Sequence, residues 1–269
     1  MYSNIRPHHY LGFLISFILI GGAWMILPDR TIDFADTKKS TKLKHQIWDE
    51  LLHEFVDNQG MVNYKGFITE RVRLQQYLTL LSRNPPDKES WSLEEQLAFW
   101  INAYNAYTIA LIIEHYPLSG IKDIGSSIQI PFINSPWDVK FIEIGGKKID
   151  LNNIEHGILR KEFNEPRIHF SIVCASMSCP QLRNEAFTAS ALNMQLDEQA
   201  SAFINDHFRN DITSNRIEIS KIFSWFKGDF TKSGTLIDFL NKYSKIKIQS
   251  NADITYKKYD WALNEQKEQ

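Results

Sequence analysis

The sequence predicts an α+β domain in which N-terminal helices pack on a small mixed or antiparallel sheet, preceded by one N-terminal transmembrane or signal helix. Three observations carry this expectation. Residues 10–27, YLGFLISFILIGGAWMIL, contain no charge. Apolar residues recur at helical spacing through the first half of the chain, and short β-branched runs flanked by turn residues gather in the second.

Composition bounds the rest. The 269 residues are 43% hydrophobic and 23% charged, enough for a core and unlike a disordered chain. Thirty basic against thirty-two acidic side chains give a net charge of -2, so no global field recruits nucleic acid. No linker rich in Pro, Gly or Ser interrupts the chain after its start. The expected organisation is therefore a membrane anchor or signal segment with its linker over 1–40, one globular domain over 41–264 and a tail over 265–269.

At about 1.5 Å per residue the apolar segment just spans a ~30 Å hydrocarbon layer. Gly21-Gly22-Ala23 offers a small-residue cleavage site, but cutting there leaves Trp24-Met25-Ile26-Leu27 at the new terminus, so an uncleaved anchor is preferred. Lys and Arg are more numerous after the segment than before it, Lys38, Lys39, Lys42 and Lys44 among them, which argues against export. Large C-terminal domains, however, translocate largely regardless of charge. The expectation is a single-pass inner-membrane protein held through residues 10–27 with its domain on the periplasmic side; the alternative is a secreted or periplasmic form released by signal cleavage.

Ile47, Leu51, Leu52, Phe55 and Val56 make an amphipathic helix that ends at the turn Asp57-Asn58-Gln59-Gly60. A second helix is expected over 65–82, stopped by Pro85-Pro86. A third opens at Ser92 with Glu95 in capping-box spacing and is apolar nearly all round, hence buried. Asn102 and Asn105 share one face of it, and a buried amide without partners costs roughly 1–3 kcal/mol. They either fasten neighbouring backbone or line a site. The connection over 116–137 carries Pro117, Gly120, Gly125, Pro131 and Pro136 and reads as irregular, bordering a cleft.

Strands flanking Gly145-Gly146 form a hairpin, and Asp150 or Asn152 caps a helix with Glu155, His156 and Arg160. The run from Ile168 to Val173 reads as a strand that delivers Cys174 to a turn of small residues. A long helix over 188–206 follows, with Leu192, Leu196, Ala200 and Phe203 on one stripe. Residues 216–220 form a short strand, 222–226 and 234–243 are helical or irregular, and 246–248 with 254–259 suggest a closing strand pair.

The chemistry expected centres on Cys174. Cysteine catalysis needs a thiolate, a nearby base and a group that orients the base. On an extended strand side chains alternate, which turns His169 away from Cys174 and favours His156, from a separate helix, as the base. Glu155 is free to bind a helix end, a substrate ammonium, Arg160 or Arg167; backbone amides of Ala175, Ser176, Met177 and Ser178 offer an oxyanion hole. His156 is equally read as a surface or capping histidine, and Glu155 as a structural ion pair. A Cys174–Cys179 disulfide would silence or redox-gate the thiol. Cys174, Cys179, His156 and His169 include enough ligand types for a metal, but C-x4-C is not a usual zinc spacing; no metal and no cofactor are expected.

Five ordered motifs add a resemblance. FWINAYNA (99–106), IEHGILR (154–160), IHFSIVCAS (168–176), SCP (178–180) and YDWALN (259–264) resemble the family known as domain of unknown function 547, over roughly residues 44–264. The resemblance implies no settled activity. It singles out Asn102, Asn105, Glu155, His156, Arg160 and Cys174, with His169 and Cys179 in more variable company, since some relatives carry Ser where Cys179 stands. That variation argues against a structural disulfide as a device of the whole family.

Taken together, the sequence predicts a loosely papain-like arrangement: Cys174 as nucleophile, His156 as base, and Asn102, Asn105 or Glu155 orienting or lining the site, with Arg160, His169 and Ser176 as binding residues. The expected chemistry is hydrolysis or acyl transfer at an amide or thioester of an unknown peptide or small molecule. The alternative is a non-catalytic envelope module that binds a partner, or acts as a scaffold, through the 116–137 connection. Nucleic acid is not expected as a partner.

Overall fold

Helix α1 (Gln46–Phe55) buries Trp48, Leu51, Leu52 and Phe55, the one-face spacing of an amphipathic helix. Its Trp48 ring stacks on Tyr77 at 5.8 Å and 5°. The structure, a computed structural model, describes residues 43–124 and 135–267. Where one helix was expected over 65–82 there are two, α2 (Tyr64–Thr69) and α3 (Arg71–Arg83), hinged at Glu70. Asn63 caps α2 by accepting from the Gly66 N–H.

Helix α4 (Leu93–His115) is the axis of the domain. Its start is a closed capping box: Ser92 N–H donates to Glu95 Oε2 (2.8 Å), and Glu95 N–H donates to Ser92 Oγ (3.2 Å). From Gln96 to Ile113 only Trp100 and Ala110 escape burial. The side chains around it come from α1 to α3, the hairpin and the segment that carries Cys174.

Strands β1 (Ile142–Ile144) and β2 (Lys147–Ile149) pair antiparallel through Gly145 and Gly146, both at positive φ (60° and 73°), as a two-residue hairpin turn requires. The chain then makes a π-helical turn, Asn153–Leu159, that runs into the short helix α5 (Arg160–Glu162). Helix α6 (Leu192–Ile204) buries the expected stripe. Strands β3 (Asp211–Ile212) and β4 (Arg216–Ile219) are antiparallel; helices α7 (Ile222–Trp225), α8 (Lys227–Phe230) and α9 (Leu236–Leu240) follow. The last strand, β5 (Asp253–Tyr256), pairs parallel with β4.

Two hydrophobic cores result. The first surrounds α4; the second is aromatic, with Phe170, Phe203, Phe223, Phe230 and Phe239 in mutual ring contact. Cys174 and Trp261 pack against both, so they lie on the seam between them.

The expected fold class is corrected on four points. The described residues form an α+β fold, but none of their helices is long and apolar enough to cross a membrane, and residues 10–27 lie outside the described residues. The helices do not rest on one sheet in a papain-like manner: they pack on one another, and the strands, two to four residues each, form a separate hairpin and a three-stranded sheet. The cysteine segment is no strand. Pro166 opens a 3-10 helix, Pro166–Phe170, stabilised by the Glu165 side chain accepting from Arg167 N–H, and the chain runs on irregularly through Cys174. Its apolar run is buried on every side because Ile168 and Val173 enter the first core while Phe170 enters the second. Finally, 246–248 form no strand, so β5 has β4 as its partner.

Candidate functional site: a thiol cleft on the seam

The seam opens into a cleft of about 210 Å³. Cys174, Glu155, His156 and His169 all line it, with walls built from Trp137, Trp225, Phe226, Tyr259 and Trp261. A larger cavity of about 580 Å³, between α3 and α4, is lined by no cysteine and by none of the residues expected to carry chemistry.

Cys174 is presented by a turn that its surroundings hold in tension. The next residue, Ala175, has φ 58°, a left-handed conformation that costs a residue with a Cβ roughly 1–2 kcal/mol. The C-terminal segment over-determines it: Asn264 N–H donates to Ala175 O (3.3 Å), Met177 N–H to Ala262 O (2.8 Å) and Ser178 N–H to Asp260 O (3.2 Å). Asn264 in turn accepts from Tyr64 OH (2.7 Å) and donates to Gly60 O (3.1 Å), which ties the turn back to the N-terminal helices. Because the Met177 and Ser178 amides are spent in this way, they are unavailable as the oxyanion hole expected there.

Three proton-bearing groups surround the Cys174 sulfur: Cys179 Sγ at 2.7 Å, Ser176 Oγ at 3.1 Å and Tyr259 OH at 3.3 Å. Burial pushes the Cys174 thiol up, and hydrogen bonds from Cys179, Ser176 and Tyr259 outweigh it, so its pKa falls below that of an ordinary cysteine. Cys179 goes the opposite way, raised by burial and then by its neighbour's sulfur. Both thiols are free. No histidine nitrogen is hydrogen-bonded to Cys174 Sγ among the described residues.

The two histidines of the cleft differ in what holds them. His169 Nε2 is 2.8 Å from Asp229 Oδ2, and its Nδ1 is buried without a partner. The ring stacks on Phe226 at 4.0 Å. Burial lowers its pKa and the Asp229 contact only partly compensates, so the imidazole is neutral at pH 7 with its proton on Nε2 and a free lone pair on Nδ1. His156 Nδ1 instead accepts from Arg160 Nη1 (2.9 Å), and burial followed by that guanidinium lowers its pKa. Arg160 Nε also donates to Asp229 Oδ2 (2.6 Å). Hydrogen bonds from His169 and Arg160 hold the Asp229 carboxyl well below the usual carboxylate range against the effect of burial.

Glu155, on the π-helical turn, is buried and accepts from Tyr104 OH (3.3 Å). Burial raises it to about 7, with Tyr104 and Arg160 pulling the other way. Asn102 and Asn105 do not line the cleft; both amides are spent on backbone. Asn102 exchanges hydrogen bonds with Phe187 (2.8 and 3.0 Å), and Asn105 donates to Ser171 O (2.8 Å) and accepts from Val173 N–H (3.0 Å). Asn105 therefore supports the thiol from behind, where a strand partner would otherwise stand.

Sequence reasoning missed Asp229 and Trp225, which lie in short helices without any motif spacing, and Phe226 in the turn between those helices. The motif at 259–264 pointed to Tyr259 and Trp261 without a role for either. No group of three or more side chains among the described residues is placed to hold a metal ion.

Residues 88–204 match the sequence profile of a family described as Protein of unknown function, DUF547. This segment is similar to the DUF547 family. Comparison with curated proteins and with solved structures gave no match. The DUF547 match takes in α4, Glu155, His156, Arg160, His169, Cys174 and Cys179, but ends before Trp225, Asp229, Tyr259 and Trp261. Five of the fourteen residues that line the cleft, Ile222, Trp225, Phe226, Tyr259 and Trp261, thus lie beyond the matched segment.

Proposed function

We propose that the cleft is a thiol active site that transfers or hydrolyses an acyl group from an amide or thioester. The observation that supports this reading is the presence in one cleft of a cysteine with lowered pKa and a neutral imidazole oriented by a carboxylate, His169–Asp229. His169, rather than His156, has the free lone pair of a base, since His156 spends Nδ1 on Arg160. Sγ bonds to the substrate carbonyl carbon as the carbonyl π pair moves to oxygen; collapse expels the amine or thiol, which takes a proton. Glu155, half protonated near pH 7, suits that delivery, and later the removal of a proton from water. Apo sites often keep nucleophile and base apart until substrate binds, which accommodates the lack of a sulfur–imidazole hydrogen bond.

The test is intact-mass detection of a covalent adduct after exposure to an activated thioester. Wild type acquires one acyl group on Cys174, Cys174→Ser acquires none, and Asp229→Asn acylates at least about a hundredfold more slowly while its far-UV circular dichroism is unchanged. Equal thioester consumption by wild type and Cys174→Ser overturns the reading. A second reading, a non-catalytic binding module, draws its support from that same absence of a hydrogen bond between Sγ and either imidazole; it predicts no adduct on any variant.

A further inference from the structure

Cys179 lies five residues after Cys174 and has no place in the acyl-transfer scheme. Its sulfur is nevertheless the nearest of the three hydrogen-bonding atoms around the nucleophile, 2.7 Å from Cys174 Sγ against ~2.0 Å for a disulfide bond. Its position is fixed from both sides: Cys179 N–H donates to Ser176 O (3.0 Å), and Cys174 N–H donates to Cys179 Sγ (2.7 Å). The two thiols differ in access. Cys174 is partly exposed on the cleft, whereas Cys179 is 3% exposed.

We infer that Cys179 is the resolving cysteine of a reversible redox switch, in which a hydroperoxide oxidises Cys174 and the two thiols then close to a disulfide that shuts the cleft. The inference rests on the reading of Cys174 as the reactive thiol. The Cys174 thiolate attacks the terminal oxygen of the hydroperoxide, the O–O bond breaks, and the departing alkoxide takes a proton to leave as alcohol or water. The product is a sulfenic acid. Cys179 sulfur then attacks the oxidised sulfur, the S–O bond breaks, and water leaves with the Cys179 proton. A dithiol reductant restores both thiols by exchange.

The difference in acidity between the pair fits this order of events. The thiol held by three donors meets the oxidant first, and the buried one, kept protonated, is spared until a sulfenic acid stands beside it. Since the turn 175–178 is already anchored by the C-terminal segment, closure needs little movement beyond the two side chains.

The test treats the purified full-length chain with hydrogen peroxide, followed by alkylation of the remaining thiols and peptide mapping. Wild type is expected to lose both alkylatable thiols together, to yield one intramolecular peptide linking Cys174 and Cys179, and to recover on addition of a dithiol. Cys179→Ser should instead accumulate a sulfenic acid on Cys174, trapped by a dione probe. In Cys174→Ser, Cys179 should oxidise at least about tenfold more slowly than Cys174 does in wild type. Over-oxidation of wild-type Cys174 without the linked peptide, or equal rates for the two cysteines, overturns the switch. The thioester adduct is measured on the reduced protein, so a chain that acylates but never forms the disulfide defeats this inference alone, and one that forms the disulfide but never acylates defeats only the proposed function.

Discussion

The acidity of Cys174 comes from hydroxyl and thiol neighbours, since among the described residues no histidine, lysine or arginine is hydrogen-bonded to its sulfur. Tyr259→Phe removes one of three donors and should raise the apparent Cys174 pKa by up to about one unit, the value of one hydrogen bond of 0.5–1.5 kcal/mol. The rate of iodoacetamide labelling against pH reads this directly; an unshifted profile would mean that the tyrosine is not a donor to the thiolate. Glu155 makes a second prediction. Its folded pKa is raised from an ordinary 4.5 to about 7, so the folded state holds a proton that the unfolded state gives up between these values. Its stabilising protonation is fully present below pH 4.5 and lost as pH rises through 7. Glu155→Gln should therefore match wild-type stability near pH 4 and exceed it by up to about 3 kcal/mol at pH 8, measured by urea denaturation at both pH values. A constant difference would show that the carboxyl is not desolvated.

Helix α4 acts as a rack on which the site hangs, and its polar residues separate into end and middle. Ser92→Ala opens the capping box and should cost about 1 kcal/mol with Cys174 labelling unchanged. Asn105→Ala strips Ser171 O and Val173 N–H of their partners, with a cost of about 2–4 kcal/mol and a changed Cys174 labelling rate. Thermal melts with labelling on both variants make the comparison; equal labelling would detach Asn105 from the thiol. The elements whose signals are local were legible in the sequence. Ser92 with Glu95 marked the start of α4, Gly145-Gly146 marked the hairpin, and the Leu192 stripe marked α6. The cysteine segment was not. A run of Ile, Phe and Val looks alike whether it is a paired strand or an irregular stretch pressed between two cores, and only the partners supplied by Asn105 distinguish them. That misreading also demoted His169: alternation of side chains holds on a strand and fails on a 3-10 turn. Asp229 was beyond reach, because the contact that matters joins positions sixty residues apart.

At the scale of the molecule the cleft exists because two cores meet without fusing. Phe170 belongs to one and Ile168 to the other, and the 259–264 segment crosses both through Tyr259, Trp261 and Asn264. Segments this closely shared leave neither core able to melt alone. Urea unfolding followed by tryptophan fluorescence and by far-UV circular dichroism should give coincident midpoints, and separate midpoints would mark the cores as independent units.

The turn clamped by Ala262 and Asn264 also has a consequence for biosynthesis. Cys174 and Tyr259 are separated by eighty-five positions, so a nascent chain displays the cysteine well before the tyrosine that favours its thiolate has been translated. Until residues 259–264 arrive, Ala175 lacks the Asn264 N–H that holds its carbonyl, and Cys174 lacks one of its three donors. A chain arrested or clipped before this segment carries the cysteine without its tyrosine donor and without the clamp on its turn. Translation order thus supplies the last donor and the clamp of the thiol late, more than eighty residues after the cysteine itself.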